Sequence, residues 1–165
     1  MIDADASPAG YVAWYNHSEE IHKIRKVRPS PKNEKFGVQR MEMLAIYFAL
    51  ADNWSDIIKR AKKCKKKKHV IIAIRSDSKS TVEQLLGRSQ IRDTLMHRIF
   101  SSIVRLLAKF KYTITFCHLK RSRNIAGLLL EQRRRKENEG MKKDMITITN
   151  KMTRSIIARP LVLYN

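Results

Sequence analysis

The sequence has few acidic residues, few aromatic residues and no long hydrophobic run. Its 165 residues include only 15 Asp and Glu against 35 Lys and Arg, a formal net charge of +20, and 7% aromatics. A chain this basic is expected to bind polyanions, and nucleic acid is the partner that the charge favours. No apolar run approaches the ~20 residues of a membrane-spanning helix, and no basic helix has a clean apolar face, so we expect no membrane partner.

Cysteine is equally scarce. Cys64 lies in a lysine run and Cys117 in an apolar segment, and such different surroundings predict two reduced thiols rather than a disulfide. No cysteine and histidine spacing typical of zinc sites is present. The chain begins Met1-Ile2-Asp3 and has a second acid at Asp5, which is unlike a secretory or transit signal, so we expect a cytoplasmic protein.

Hydrophobic residues make up 43% of the chain, and their periodicity predicts the element order β-β-β-α-β-α-α-β-α. Gly140 is predicted to end the last helix, and a possible new helix start follows the first helix at Asn53. We predict one domain over residues 1–139 and a basic C-terminal tail or extension of unknown role over residues 140–165. The predicted strands are 1–5, 11–15, 19–27, 69–74 and 112–117, and the predicted helices are 38–51, 78–86, 91–110 and 124–139.

This order indicates an α/β fold in which an antiparallel three-strand meander is followed by crossover strands. The strand over residues 69–74 is continuously β-branched, as expected of a strand buried on both faces. A right-handed crossover would place it beside the first strand. The carboxyl ends of these two strands would then meet, and Asp5 and Asp77 lie there.

Three acidic residues, Asp5, Glu42 and Asp77, are candidates for one site. A buried carboxylate without a partner is costly, whereas several converging carboxylates become favourable when a divalent cation lies among them. The same residues also permit a plainer interpretation, in which Asp5 belongs to a turn, Glu42 is solvated and Asp77 caps a helix.

Three short segments around these acids resemble, in order, the acidic motifs of the type 1 ribonuclease H family, and the resemblance covers roughly residues 1–131. It implies a ribonuclease H-like mixed sheet with helices on both faces. It also implies an endoribonuclease that needs Mg²⁺ or Mn²⁺ and hydrolyses the RNA strand of RNA–DNA hybrids by a two-metal mechanism. Asp5 would bridge the metals, and Glu42 and Asp77 would each hold one. The segments are Asp5-Ala6-Ser7, Arg40-Met41-Glu42-Met43-Leu44-Ala45 and Ser76-Asp77-Ser78.

The fourth acidic motif of that family is not preserved. Alignment on alanine places Gly127 at the acid position, alignment on Asn124 places Leu128 there, and neither is a ligand. Glu131 is the nearest acid, one helical turn beyond Gly127, and we predict that it could replace the missing ligand; it could equally be an exposed residue.

Two further residues near this site carry predictions. His118 lies where the family often has a histidine near the active site, although a surface histidine would fit as well. Asp3 is predicted to face the opposite side of the strand from Asp5 and to take no part in the site.

Several basic residues are predicted to contact nucleic acid. Lys65 and Lys66 belong to a lysine run suited to non-specific phosphate neutralisation. Arginines near the candidate site could bind phosphates. Gln39 and Arg40, which precede Glu42, resemble family positions that touch the minor groove of the nucleic acid. A second hypothesis is a ribonuclease H-fold protein that has lost its chemistry and binds structured RNA, which the missing acid and the charge of +20 support. The remaining predicted contacts are Arg121, Arg123, Arg133 and Arg134.

Overall fold

The computed structural model describes residues 1–28, 35–63, 71–109 and 113–157, with side chains described up to Lys142. The order of its elements is the predicted one, with a short 3₁₀ turn added before the last helix. The strands are β1 (Ile2–Ser7), β2 (Tyr11–Asn16), β3 (Ile21–Lys26), β4 (Ile71–Ser76) and β5 (Thr113–His118), and the helices are α1 (Gly37–Lys63), α2 (Lys79–Leu85), α3 (Thr94–Ala108) and α4 (Ile125–Ile157), with the 3₁₀ turn at Arg121–Arg123.

The strands form one mixed sheet in the order β3-β2-β1-β4-β5. The pairs β1–β2 and β2–β3 are antiparallel, whereas β1–β4 and β4–β5 are parallel. The predicted meander and the predicted placement of the fourth strand beside the first are therefore confirmed. The parallel pairing brings the carboxyl ends of β1 and β4 together, which is where a ligand site is expected in such a sheet.

Helices cover both faces of the sheet. On one face, alternate residues of β1 and β2 such as Ala4 and Trp14 are buried in the main hydrophobic core, which includes α1. On the other face, Ala13 of β2 packs with Ala126 and Leu130 at the start of α4. This alternation follows from the pleat of a strand, whose successive side chains point to opposite faces.

The helix boundaries differ from the predicted ones at three places. The break predicted near Asn53 is absent and α1 continues to Lys63; within it the buried Asn53 amide donates to Ala49 O and accepts from Asn16. The third helix begins at Thr94 because Asp93 caps it, accepting from Met96 N at 2.8 Å. Gly140 does not end α4, since a glycine within a helix costs only about 1 kcal/mol.

The segment 145–149, which resembles a strand in its sequence, is helical. A β-branched run satisfies its backbone hydrogen bonds in a sheet only when a partner strand lies beside it, whereas a helix satisfies them locally. The prediction that the fourth strand is buried on both faces is also wrong, because Ile71 is 67% exposed. The preceding residues 69 and 70, like Cys64, lie outside the described part of the chain.

The chain divides into two compact units, Met1–Leu130 and Glu131–Asn165. The first contains the sheet, α1 to α3 and the beginning of α4; what is described of the second is the rest of α4. The predicted domain boundary at residue 139 lies inside α4. No helix in the described ranges is long and apolar enough to cross a membrane.

Candidate metal centre

The three acidic residues singled out in the sequence lie together. Asp5 is in β1, Glu42 is in the second turn of α1, and Asp77 directly follows β4. Each offers a carboxylate oxygen, and these three oxygens lie within 4.8 Å of one another. The parallel β1–β4 pair and the packing of α1 on β1 create this convergence from residues that are distant in sequence. We refer to Asp5, Glu42 and Asp77 as the acidic cluster.

Two members of the acidic cluster are buried without partners. Asp5 is 0% exposed and Glu42 is 7% exposed. Both oxygens of Asp5 and Oε2 of Glu42 have no hydrogen-bond partner within the described part of the chain. Buried acceptors that remain unpaired cost free energy, and in native structures they often indicate the place of an ion or water.

The environment of the acidic cluster strongly favours protonation of its buried members. Burial raises the pKa of Asp5 from its ordinary value of 3.8 to about 7, and the neighbouring Asp77 adds to the shift. Burial also raises the pKa of Glu42 from 4.5 to about 9, with contributions from Asp5 and Asp77. Low dielectric and like charges disfavour the ionised forms, so a nearby cation would relieve both costs.

Asp77, in contrast, has a partner for each oxygen. Arg121 in the 3₁₀ turn donates from Nη1 to Oδ2 at 3.0 Å, and Asn124 donates from Nδ2 to Oδ1 at 3.0 Å. The Asp77 side chain is 9% exposed, whereas that of Arg121 is 69% exposed. The guanidinium therefore reaches the acidic cluster from the solvent side.

Asn124 connects the acidic cluster to α4. It is fully buried, and its Nδ2 also donates to Ala4 O at 3.1 Å, while its Oδ1 accepts from Gly127 N at 3.4 Å. The latter contact makes Asn124 the N-cap of α4, a role that an asparagine directly before an apolar helical run predicts. We did not predict its hydrogen bond to Asp77.

The structure decides which residue stands where the fourth acid was expected. A Cβ atom added to Gly127 would lie 2.9 Å from Asp5 Oδ2, so position 127 faces the acidic cluster directly. Leu128 is 42% exposed and is not that position. The backbone of α4 therefore lies close to Asp5 at the position where a fourth carboxylate was expected. Only a glycine fits there, because the Cβ atom of any other residue would contact the Asp5 carboxylate.

Asp3 lies on the same face of β1 as Asp5, so the prediction that the two residues face opposite sides was wrong. Side chains alternate along a strand, and residues two apart therefore share a face. Asp3 is 0% exposed and accepts from Arg75 Nε at 2.6 Å and from Ile125 N at 3.2 Å, and it lies 2.9 Å from His17 Nε2. Asp3 thus holds the first turn of α4 against the sheet.

The acidic cluster fits a divalent cation. Carboxylate oxygens are hard ligands that suit Mg²⁺ and Mn²⁺, and the buried oxygens of Asp5 and Glu42 that no described residue contacts are available as ligand atoms. When bound, such an ion would activate water and neutralise nearby negative charge. Asp5 and Glu42 would hold it with the help of Asp77.

The other predicted site residues take varied positions. His118 is the exposed last residue of β5, paired in register with Ser76, which precedes Asp77. Gln39 is half-buried, one turn before Glu42. Arg40 forms a bidentate ion pair with Asp93, at 2.7 and 2.5 Å.

The basic residues predicted to bind nucleic acid are spread over both units. Arg123 is exposed in the 3₁₀ turn. In the second unit, Glu131 lies 3.7 Å from Arg135 and Arg133 pairs with Glu137, while Arg134 is exposed. A ligand role for Glu131 stays a prediction. The predicted phosphate contacts Lys65 and Lys66 lie outside the described residues.

The chain is similar to several solved structures of ribonucleases H. No protein-family model and no curated protein matches the sequence. RNase H1 from the halophilic archaeon Halobacterium salinarum superposes with a TM-score of 0.57 at 17% identity, covering 76% of this chain and 88% of that one. LC11-RNase H1, isolated from compost and solved in complex with an RNA/DNA hybrid, gives 0.54 at 15% identity, covering 74% and 86%.

A third structure, the N-terminal RNase H domain of a Mycobacterium tuberculosis protein, gives a TM-score of 0.52 at 16% identity, covering 75% of this chain and 82% of that one. The mixed sheet, its strand order and these superpositions together show that the chain has a ribonuclease H-like fold. A fold alone does not define an activity, which depends on the residues of the site.

Proposed function

We propose that this protein is a metal-dependent endonuclease that hydrolyses the RNA strand of RNA–DNA hybrids. The observation that carries the proposal is the acidic cluster, in which three carboxylates from three different elements converge and three buried oxygens have no partner among the described residues. Unpaired carboxylates at these buried positions do not stabilise the fold, so Asp5 and Glu42 are expected to bind a ligand. The ribonuclease H1 found with an RNA/DNA hybrid supports the choice of substrate.

Different residues of the chain have different roles in the proposed reaction. Asp5, Glu42 and Asp77 would hold Mg²⁺ or Mn²⁺, which would activate water and stabilise the charge on the phosphate. Asn124 and Asp3 fix the first turn of α4 and thereby the position of Asp77 relative to Asp5. His118, exposed at the end of β5, would donate a proton to the leaving oxygen.

Binding of the hybrid would rest mainly on charge. The chain carries a net charge of +20, and its exposed arginines suit contacts with phosphates rather than with base edges. Arg123 and Arg134 are exposed, and Gln39 lies at the start of α1, close in sequence to Glu42. We therefore expect affinity to fall steeply with salt and to depend little on sequence.

A cleavage assay with labelled RNA–DNA hybrid, double-stranded RNA and double-stranded DNA tests the proposal, with Mg²⁺ and Mn²⁺ each titrated. We expect cleavage of the RNA strand of the hybrid, and a loss of at least about 100-fold in rate for Asp77→Asn, since removing a ligand carboxylate weakens stabilisation of the transition state. Asp56→Asn is the matched control, because Asp56 lies on α1 outside the acidic cluster and pairs with Lys59.

Two further results refine or refute this function. A comparable loss for Glu131→Gln would establish Glu131 as the replacement ligand. Absence of hybrid cleavage by the wild type at every metal concentration would overturn the proposal.

A second function, binding of RNA without cleavage, is favoured by the same region of the molecule. Gly127 leaves no acid at the fourth position, and Arg121 already neutralises Asp77. Retained binding of structured RNA or of the hybrid, with no cleavage by the wild type, would support this alternative. Fluorescence anisotropy of labelled nucleic acid at several salt concentrations measures that binding independently of any chemistry.

A further inference from the structure

The acidic cluster is asymmetric. Asp5 and Glu42 are buried and have three oxygens without a partner among the described residues, whereas Asp77 accepts one hydrogen bond at each oxygen. An incoming cation therefore meets unused ligand atoms on the side of Asp5 and Glu42. On the side of Asp77 it would have to compete with a positive charge that the chain itself supplies.

That positive charge belongs to Arg121. Its guanidinium donates to Asp77 at 3.0 Å from an exposed 3₁₀ turn, and its charge also lowers the pKa values of Asp5 and Glu42, against the larger effect of their burial. It therefore acts on all three carboxylates. An arginine side chain is protonated throughout the neutral pH range, so this contribution does not depend on pH there.

The surroundings of Asp5 explain why such a charge is tolerated. Gly127 faces Asp5 so closely that even a Cβ atom would come within 2.9 Å of its carboxylate, and no acid stands there. With three carboxylates, one divalent ion and one guanidinium give electroneutrality. A second divalent ion would leave two positive charges uncompensated, whereas a fourth carboxylate would have balanced two ions without the arginine.

We propose that the acidic cluster binds a single divalent ion, held chiefly by Asp5 and Glu42, and that the Arg121 guanidinium takes the place of a second cation beside Asp77. This inference rests on the proposed function in its use of a metal, and it differs from the two-metal mechanism that the resemblance implies. In the reaction, Arg121 would stabilise negative charge on the phosphate by hydrogen bonds as well as by charge, which a planar guanidinium does well.

Binding of Mn²⁺ to the free protein, followed by the loss of the electron paramagnetic resonance signal of free Mn²⁺, tests the proposal without any activity measurement. We expect one equivalent per chain in the wild type, and none in Asp5→Asn. Arg121→Gln should bind the ion at least about tenfold more tightly, because it removes a positive charge adjacent to a ligand. Arg121→Lys keeps the charge and should stay within about threefold of the wild type.

Arg105→Gln is the matched control, since it removes the same charge from α3, where Arg105 hydrogen-bonds to its own helix. Two equivalents of similar affinity in the wild type would overturn the inference, and so would an Arg121→Gln protein that binds no more tightly than Arg105→Gln. Binding by Arg121→Gln but not by the wild type would overturn it too, because the guanidinium would then replace the metal entirely.

The inference and the proposed function fail separately. One bound ion with no hybrid cleavage under any condition would refute the nuclease and leave the single-ion site standing. Two bound ions with hybrid cleavage would refute the single-ion site and leave the nuclease. If neither the wild type nor Arg121→Gln binds an ion, the single-ion site and the metal-dependent nuclease are both refuted.

Discussion

Two aspartates on the same face of β1, Asp3 and Asp5, are both completely buried but differ in their hydrogen-bond partners. Asp3 is surrounded by donors: it accepts from Arg75 and from the backbone of Ile125, and it contacts His17. Asp5 has no hydrogen-bond partner among the described residues and faces two further carboxylates instead. Burial is equal, and only the supply of partners differs.

The presence or absence of partners distinguishes a carboxylate that stabilises the fold from one that binds a ligand. A protein that buries a charge for stability pairs it, because an uncompensated charge costs several kcal/mol. Asp3 meets that condition within the chain and uses it to attach α4 to the sheet. Asp5 does not, so the free energy that offsets its burial has to come from a bound cation or from protonation.

The largest expected effect is on stability, from Asp3→Asn. The substitution leaves Arg75, whose side chain is 22% exposed, beside a neutral amide and weakens the contact to Ile125 N. Breaking a buried ion pair from one side costs about 3 kcal/mol or more. Urea unfolding of the metal-free protein at neutral pH, followed by tryptophan fluorescence, measures the free energy of unfolding.

Asp5→Asn is the counterpart of that variant. It replaces an unpaired buried carboxylate by an amide that can donate to Glu42 or Asp77, so we expect no loss of stability and a gain of up to about 1 kcal/mol without metal. If Asp5→Asn were as damaging as Asp3→Asn, the distinction between the two aspartates would not hold.

The fold could be predicted from sequence because it depends on periodicity. The alternation in β1 and β2, the β-branched run before Ser76 and the apolar spacing in α3 are local patterns, and they gave the element order and the strand placement. The convergence of Asp5, Glu42 and Asp77 could be predicted for a related reason, since each has a fixed place relative to its own strand or helix. The three carboxylates then converge because β1 and β4 are parallel neighbours and α1 packs on β1.

The partners of these residues could not be predicted in the same way. Arg75 and His17 reach Asp3, and Arg121 reaches Asp77, by long or ring side chains from elements 14 to 72 residues away. No local pattern encodes such contacts. The end of α4 was missed for another reason: Gly140 was expected to act as a helix stop, but a helix tolerates one glycine when nothing else ends it.

A second effect is expected in the pH dependence of the metal-free protein. The pKa values of Asp5 and Glu42 are raised to about 7 and about 9, so the folded state binds these protons more tightly than the unfolded state. Their contribution to stability is complete below about pH 4 and is lost as the pH rises, by about pH 7 for Asp5 and about pH 9 for Glu42. The melting temperature should therefore fall by several degrees between pH 6 and pH 9.

Added Mg²⁺ should reverse that fall. Binding requires ionised carboxylates and stabilises only the folded state, so the gain in melting temperature from a fixed Mg²⁺ concentration should be larger at pH 8 than at pH 6. Glu42→Gln should flatten the curve between about pH 7 and pH 9. A wild-type melting temperature that is independent of pH and of Mg²⁺ over this range would show that Asp5 and Glu42 are not the unsatisfied pair described above.

The smallest expected effect separates two glycines of α4. Gly140 has nothing within 4 Å of an added Cβ, so Gly140→Ala should increase helix stability by up to about 1 kcal/mol. Gly127→Ala should forfeit that gain and lose about 1 kcal/mol, because its methyl group would meet Asp5 Oδ2 at 2.9 Å and force the carboxylate or the helix to shift. Thermal unfolding followed by far-ultraviolet circular dichroism measures both, and Mn²⁺ affinity should fall only in Gly127→Ala. Equal behaviour of the two variants would mean that α4 has room to withdraw from Asp5, and that Asp5 is less closely enclosed than Asp3.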